Sequence, residues 1–111
     1  AAYTLDQAGV FKELDKYDLL MIEQPLSYED LYEHSILQSM INTPICLDES
    51  IKNIYDVEAG HRLGSYRIIN IKPARIGGLT ETLKINEYAE KNNISTWIGG
   101  ILEQVLVEHF K

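Results

Sequence analysis

Apolar and polar positions along this chain follow two rhythms in alternation, and together they predict repeated strand–helix units. The runs Leu19 to Ile22, Ile45 to Leu47, Ile68 to Ile71 and Ile94 to Ile98 are too short for helices and read as strands. The first of them, stopped by Pro25, reads as a strand buried on both faces. The segments between carry apolar residues at helical spacing. A first helix is expected from Thr4, where Thr4-x-x-Gln7 has the spacing of a capping box, to about Lys16, with Leu5, Ala8, Phe11 and Leu14 as its stripe. A second follows the cap Ser27-x-x-Asp30, with Leu31, Leu37, Met40 and Ile41 turned inward until Asn42-Thr43-Pro44 ends it. A third is expected from about Asn53 to Arg62, before a Gly64-Ser65 turn. A fourth runs from Leu79 to about Lys91 and carries Leu83 and Tyr88, with Gly77-Gly78 as the loop before it. Gly99-Gly100 would open a last helix bearing Ile101, Leu102, Val105, Leu106 and Phe110.

Three of the strand runs close on a charge: LLMIE on Glu23, PICLD on Asp48 and IINIK on Lys72, which are 25 and 24 positions apart. That interval holds one strand, one helix and two loops. Parallel strands joined by right-handed crossovers place every helix-preceding loop at the same end of the sheet, so the three charges should share one rim. The fold class expected is α/β, a partial (β/α)8 barrel of about four parallel strands with helices outside, and residues 1–111 form a single unit. The chain's 111 residues are too few for a whole eight-fold barrel of roughly 250 residues, so a piece of a larger barrel domain or a small open sheet is expected.

Composition narrows the function classes. A formal net charge of −7, with ten scattered basic residues, disfavours nucleic acid and anionic lipid as partners. The sequence has no apolar run long enough to span a membrane, and its N-terminus lacks a basic region followed by an apolar stretch, which points to a cytoplasmic setting. The single Cys46, inside an apolar strand run, reads as a buried, inert thiol.

Two carboxylates from neighbouring strands suit Mg²⁺, a hard cation that takes oxygen ligands, so Glu23 and Asp48 are candidate metal ligands. Lys72 on the next strand is the candidate base, since partial burial and a nearby dication both favour its neutral amine while the acidic neighbours oppose this. A structural reading stands beside this one, in which Glu23 and Asp48 cap or orient helices and Lys72 pairs with one of them. Pro25 and Pro73 fix the chain's exit from the sheet, and the paired glycines leave backbone exposed above the same rim.

The stretches MIEQPL, PICLDES, NIKPARIGGLTE and WIGGILE, in this order and spacing, closely resemble the enolase superfamily, muconate-lactonizing subgroup. Within it they look most like the o-succinylbenzoate synthase / N-acylamino acid racemase branch, from about Tyr3 to Glu103. The resemblance implies that Glu23 and Asp48 bind Mg²⁺ and that Lys72 is one of two lysines flanking a small-molecule carboxylate substrate. It further implies that Glu49 lies behind the metal ligands and that Gly99 and Gly100 border the substrate pocket. The chemistry implied is abstraction of a proton α to a carboxylate, with Mg²⁺ stabilising the enediolate. Loss of water, as in menaquinone biosynthesis, or reprotonation on the other face follows. Members of the family carry a first metal carboxylate just before the segment matched by Ala2-Tyr3-Thr4-Leu5, and a second lysine strand and a capping domain besides. The chain alone is therefore expected to be inactive or nearly so. The bulky QVLVEHF after Glu103 departs from the small residues usual in the family.

The other candidates are structural. His34, His61 and His109 lie on expected helices without metal-ligand spacing and read as solvated or capping residues. Trp97 suits packing or a pocket wall. Gly77-Gly78 precedes a helix but no phosphate-binding glycine pattern surrounds it. A rival reading of another class is a non-catalytic half-barrel scaffold that forms a homo-oligomer through its open sheet edges.

Overall fold

Each short apolar run finds its place in one parallel sheet. The structure is a computed structural model that describes residues 3–99. After a single 3-10 turn, Leu5–Gln7, come α1 (Ala8–Leu14), a second 3-10 turn (Asp15–Tyr17), β1 (Ile22–Glu23) and α2 (Leu31–Met40). The chain continues through β2 (Ile45–Leu47), α3 (Ile54–Leu63), β3 (Ile68–Ile71), α4 (Pro73–Ile76), α5 (Leu79–Lys91) and β4 (Ser95–Ile98). The four strands pair in parallel in the order β1-β2-β3-β4, as expected for consecutive strands of a partial barrel. The expected last helix and Gly100 lie outside the described residues.

Period-two alternation divides each strand between two environments. Ile45, Leu47, Ile69 and Ile71 are fully buried and join Leu37 of α2, Val57 of α3 and Ile85 of α5 in one apolar cluster. Cys46 and Ile68, on the opposite face, are also buried, which is why the strands read as unbroken apolar runs. Cys46 is the buried thiol expected, and burial pushes its pKa up to about 12.

The helix ends obey local chemistry. Asp30 caps α2 by accepting from the Glu33 N–H at 3.0 Å, and Asn53 caps α3 by accepting from the Asp56 N–H at 3.0 Å. Gly64 closes α3 in the left-handed region, at φ 77°. Gln7 Oε1 accepts from the Thr4 N–H at 3.0 Å, completing one half of the expected capping box.

Several expectations need correction. The first strand is shorter and later than the apolar run: only Ile22 and Glu23 pair with β2, while Leu20 is 72% exposed. Asp18 in the left-handed region (φ 55°) ends the preceding turn, and among the described residues β1 has a single neighbour, which leaves Leu19 and Leu20 outside the sheet and exposed. The inward stripe of α2 uses His34, Leu37 and Gln38, and Met40 is exposed. His34 is thus fully buried rather than solvated. Its Nδ1 lies 2.8 Å from the Asp30 carbonyl and its Nε2 accepts from the Leu26 N–H at 3.1 Å, so both ring nitrogens have partners. The short helix α4 was not expected; Pro73 at its first position and left-handed Gly77 at its end bound a single turn.

Candidate active site

The ends of the four strands build one rim. Glu23 is the last residue of β1, and Asp48, Lys72 and Gly99 directly follow β2, β3 and β4. Asp48 is 5% exposed and is held from two sides. Lys72 Nζ donates to its Oδ2 at 2.9 Å, and Arg75 Nη2 donates to its Oδ1 at 2.6 Å and to its carbonyl at 2.7 Å. Burial pushes the Asp48 carboxyl up, but hydrogen bonds and charge from Lys72 and Arg75 outweigh it and hold the group below its ordinary value.

Asn70 ties the two carboxylates together. It precedes Lys72 by two residues on β3, so both project from the same face. Its Nδ2 donates to Glu23 Oε1 at 3.1 Å and reaches Asp48 Oδ2 at 3.5 Å. The other amide atom, Oδ1, is buried and has no partner among the described residues. Across the sheet, Asn70 pairs in register with Trp97, which is 54% exposed on this same face.

Gly99 leaves space that the rim uses. A Cβ there would lie 2.8 Å from Lys72 Cε and 3.3 Å from Asn70 Oδ1. The lysine arm and the asparagine therefore pack against the end of β4.

Of the residues singled out from sequence, the fold brings Glu23, Asp48, Lys72 and Gly99 together. Glu49 is exposed and takes part in no side-chain hydrogen bond among the described residues. Gly100 lies outside them. Sequence reasoning missed Asn70 and Arg75. Asn70 was open to discovery through its two-residue spacing from Lys72. Arg75 depends on α4, the turn that swings it back over Asp48, and no sequence period announces it.

The donor set fits a hard cation. Two carboxylates lie within reach of one amide nitrogen, and Mg²⁺ is commonly held by one or two carboxylates with water and substrate oxygens completing its shell. Among the described residues no group of three His, Cys, Asp or Glu side chains converges on a common point. Each Asp48 oxygen is engaged by one cation, and the lone pairs that remain on the carboxylate are open to a metal.

Known proteins share this arrangement of strands. The chain is 50% identical over 103 residues to o-succinylbenzoate synthase of Listeria innocua and 45% identical over 103 residues to N-succinylamino acid racemase of Thermus thermophilus. Each alignment covers 93% of this chain and 28% of the relative, so the chain spans little more than a quarter of the relatives it matches. A crystal structure of an enolase-superfamily member from Listeria innocua superposes with a TM-score of 0.85 at 50% identity, over 92% of this chain and 28% of that one. A dipeptide epimerase from Cytophaga hutchinsonii, solved in complex with Mg and D-Ala-L-Val, superposes with a TM-score of 0.83 at 25% identity, over 90% of this chain and 27% of that one. The profile of the enolase C-terminal domain-like family matches residues 1–109. With its four strands, their order and nearly its whole length accounted for, the chain belongs to the enolase C-terminal domain-like family.

Proposed function

We propose that this chain is the segment of an o-succinylbenzoate synthase or N-succinylamino acid racemase that supplies two Mg²⁺ ligands, Glu23 and Asp48, and one acid/base lysine, Lys72. The observation that carries the reading is the convergence of these three side chains on one rim, joined through Asn70. The similarity to enzymes of both names supports it, and the epimerase solved with Mg supports the choice of metal.

Glu23 and Asp48 would hold the ion on the β1–β2 side of the rim. Bound Mg²⁺ supplies positive charge to substrate carboxylate oxygens, where negative charge grows as the α-proton leaves. Lys72, one strand further on, would exchange that proton: the C–H bond breaks, its electron pair stays with the substrate, and the proton passes to the neutral amine at Nζ. Arg75 keeps Asp48 oriented through its carboxylate and its carbonyl. Gly99, lacking a Cβ, lets the lysine arm lie against the end of β4. Glu49, next to Asp48 in the chain, would stand behind the two metal ligands.

Alone, the 111-residue chain turns over little substrate, because members of a site that acts as a unit lose activity far more than additively when separated. The test is Mg²⁺-dependent dehydration of the o-succinylbenzoate precursor, by the chain alone and by the chain joined to the remaining three-quarters of a relative. Activity restored in the joined protein and abolished by Lys72→Ala is the result expected. Restored activity that survives Lys72→Ala would overturn the role of the lysine.

A second reading is favoured by one observation: β1 and β4 have no outer neighbours among the described residues, and Trp97 on β4 is half-exposed. Such edges invite pairing with a second copy. Sedimentation mass decides it, a dimer favouring the self-associating scaffold and a monomer counting against it.

A further inference from the structure

Gln24, directly after Glu23, has a backbone that few residues adopt and an amide that is wholly used. Its φ is 38°, in the left-handed region, where a side chain with a Cβ costs roughly 1 kcal/mol or more. It is 6% exposed. Oε1 accepts from the Asp48 N–H at 2.9 Å and from the Ser50 N–H at 3.2 Å. Nε2 donates to Ser50 Oγ at 2.8 Å and to the Leu26 carbonyl at 3.3 Å. All four hydrogen-bonding positions of a primary amide are thereby filled. Ser50 Oγ in turn donates to the Tyr28 carbonyl at 2.8 Å, so the loops after β1 and β2 are bound to one another.

The side-chain chemistry leaves little choice of residue. Two acceptor contacts and two donor contacts are needed at the end of a two-methylene arm. Glu lacks the donors, Asn is one methylene short, and an apolar residue would strand two buried backbone N–H groups. The twisted backbone accounts for the rest: the left-handed turn at Gln24 lets the chain carry Glu23 on the rim and bring the next side chain back beneath Asp48.

We propose that Gln24 is a positioning residue that clamps the Asp48 backbone to the end of β1 and thereby sets the spacing of the Glu23 and Asp48 carboxylates for a divalent cation. The part concerning the cation rests on the function proposed above; the clamp itself does not. Gln24 touches neither carboxylate, and it acts through the main chain on both.

Two substitutions separate positioning from general stability. Gln24→Ala removes the clamp and keeps the strained backbone, whereas Gln24→Gly removes the clamp and relieves the strain, so the glycine variant is the more stable of the two. Mn²⁺ affinity of the full chain, followed by the spin-resonance signal of the ion, is expected to fall about 10- to 100-fold in both variants alike, as for other residues that orient metal ligands. Amide hydrogen exchange without metal is expected to accelerate at Asp48 and Ser50 in both, with the β3 amides unchanged. Affinity that instead tracks stability, near wild type for Gln24→Gly and weak for Gln24→Ala, would reduce Gln24 to a structural part and overturn the proposal. Unchanged exchange at Asp48 and Ser50 would overturn it as well. A wild-type chain that binds no Mn²⁺ while its variants show the local exchange change would remove the metal reading and leave the clamp standing.

Discussion

The two faces of β3 lie one side chain apart and answer to different physics. Ile69 and Ile71 are fully buried against the helices, where any aliphatic residue of the right volume would serve. Asn70 and Lys72, alternating with them, meet Glu23 and Asp48 through contacts of 2.9 to 3.5 Å that only particular donors and acceptors can make. The same strand thus carries apolar packing on one side and a polar network on the other. Damage to the first should unfold the chain, and damage to the second should leave it folded with its rim contacts rearranged.

The largest effect expected tests the buried side. Ile69→Ala removes a fully buried side chain from the middle of the apolar cluster and should cost about 2–5 kcal/mol in urea denaturation. A loss below about 1 kcal/mol would mean that this layer is not the main source of stability.

His34 lies between the two regimes, because it is buried beneath the loop that leaves β1. Burial pushes its imidazole below the ordinary value, against the smaller upward pull of the Asp30 carbonyl and charge. Below pH about 6.5 the unfolded chain therefore binds a proton that the folded chain resists, and stability should fall as pH drops through that range. The urea midpoint should decline between pH 7.5 and 5.5 in wild type and stay flatter in His34→Gln. His34→Ala should cost about 1–3 kcal/mol at neutral pH for the Leu26 N–H left without its acceptor. Equal pH slopes in wild type and His34→Gln would remove His34 as the cause.

The smallest stability change is expected on the rim. Gly99→Ala brings a Cβ to 2.8 Å from Lys72 Cε, the far part of a flexible arm that can shift at little cost. Stability should change by less than about 1 kcal/mol. The Lys72–Asp48 contact should be displaced, visible as altered chemical shifts at Lys72 Nζ and Asp48 with the β2 and β3 core signals unmoved. A large loss of stability here would erase the division between the two faces.

The sequence was readable wherever a local period determined the outcome. The runs 45–47 and 68–71 became strands with those limits, and 79–91 became a helix with those limits, because apolar spacing reports burial directly. The common rim of Glu23, Asp48 and Lys72 was readable for a related reason. Parallel strands with right-handed crossovers leave their C-terminal ends on one side, so a charge that closes each strand must meet its neighbours. Motif order and spacing likewise carried the family.

Where a residue's fate depended on a distant neighbour, the sequence was silent. Leu19 and Leu20 look like strand interior, yet among the described residues β1 has a partner on one side only and they remain exposed. His34 looks like a surface histidine on a helix, and is buried because the loop carrying Leu26 crosses over it. Glu49 adjoins Asp48 in sequence, but it lies in the turn that follows β2 and is exposed. Gln24 has no period to betray it, since its partners lie 24 and 26 residues away and its backbone is held in a conformation that its own side chain disfavours. Local periodicity and chain direction thus determined the elements and the end of the sheet where the charges meet. The partners of each charge were decided by tertiary packing, because hydrogen bonds are short and directional and only the assembled strand ends and loops bring the donors within 3.5 Å.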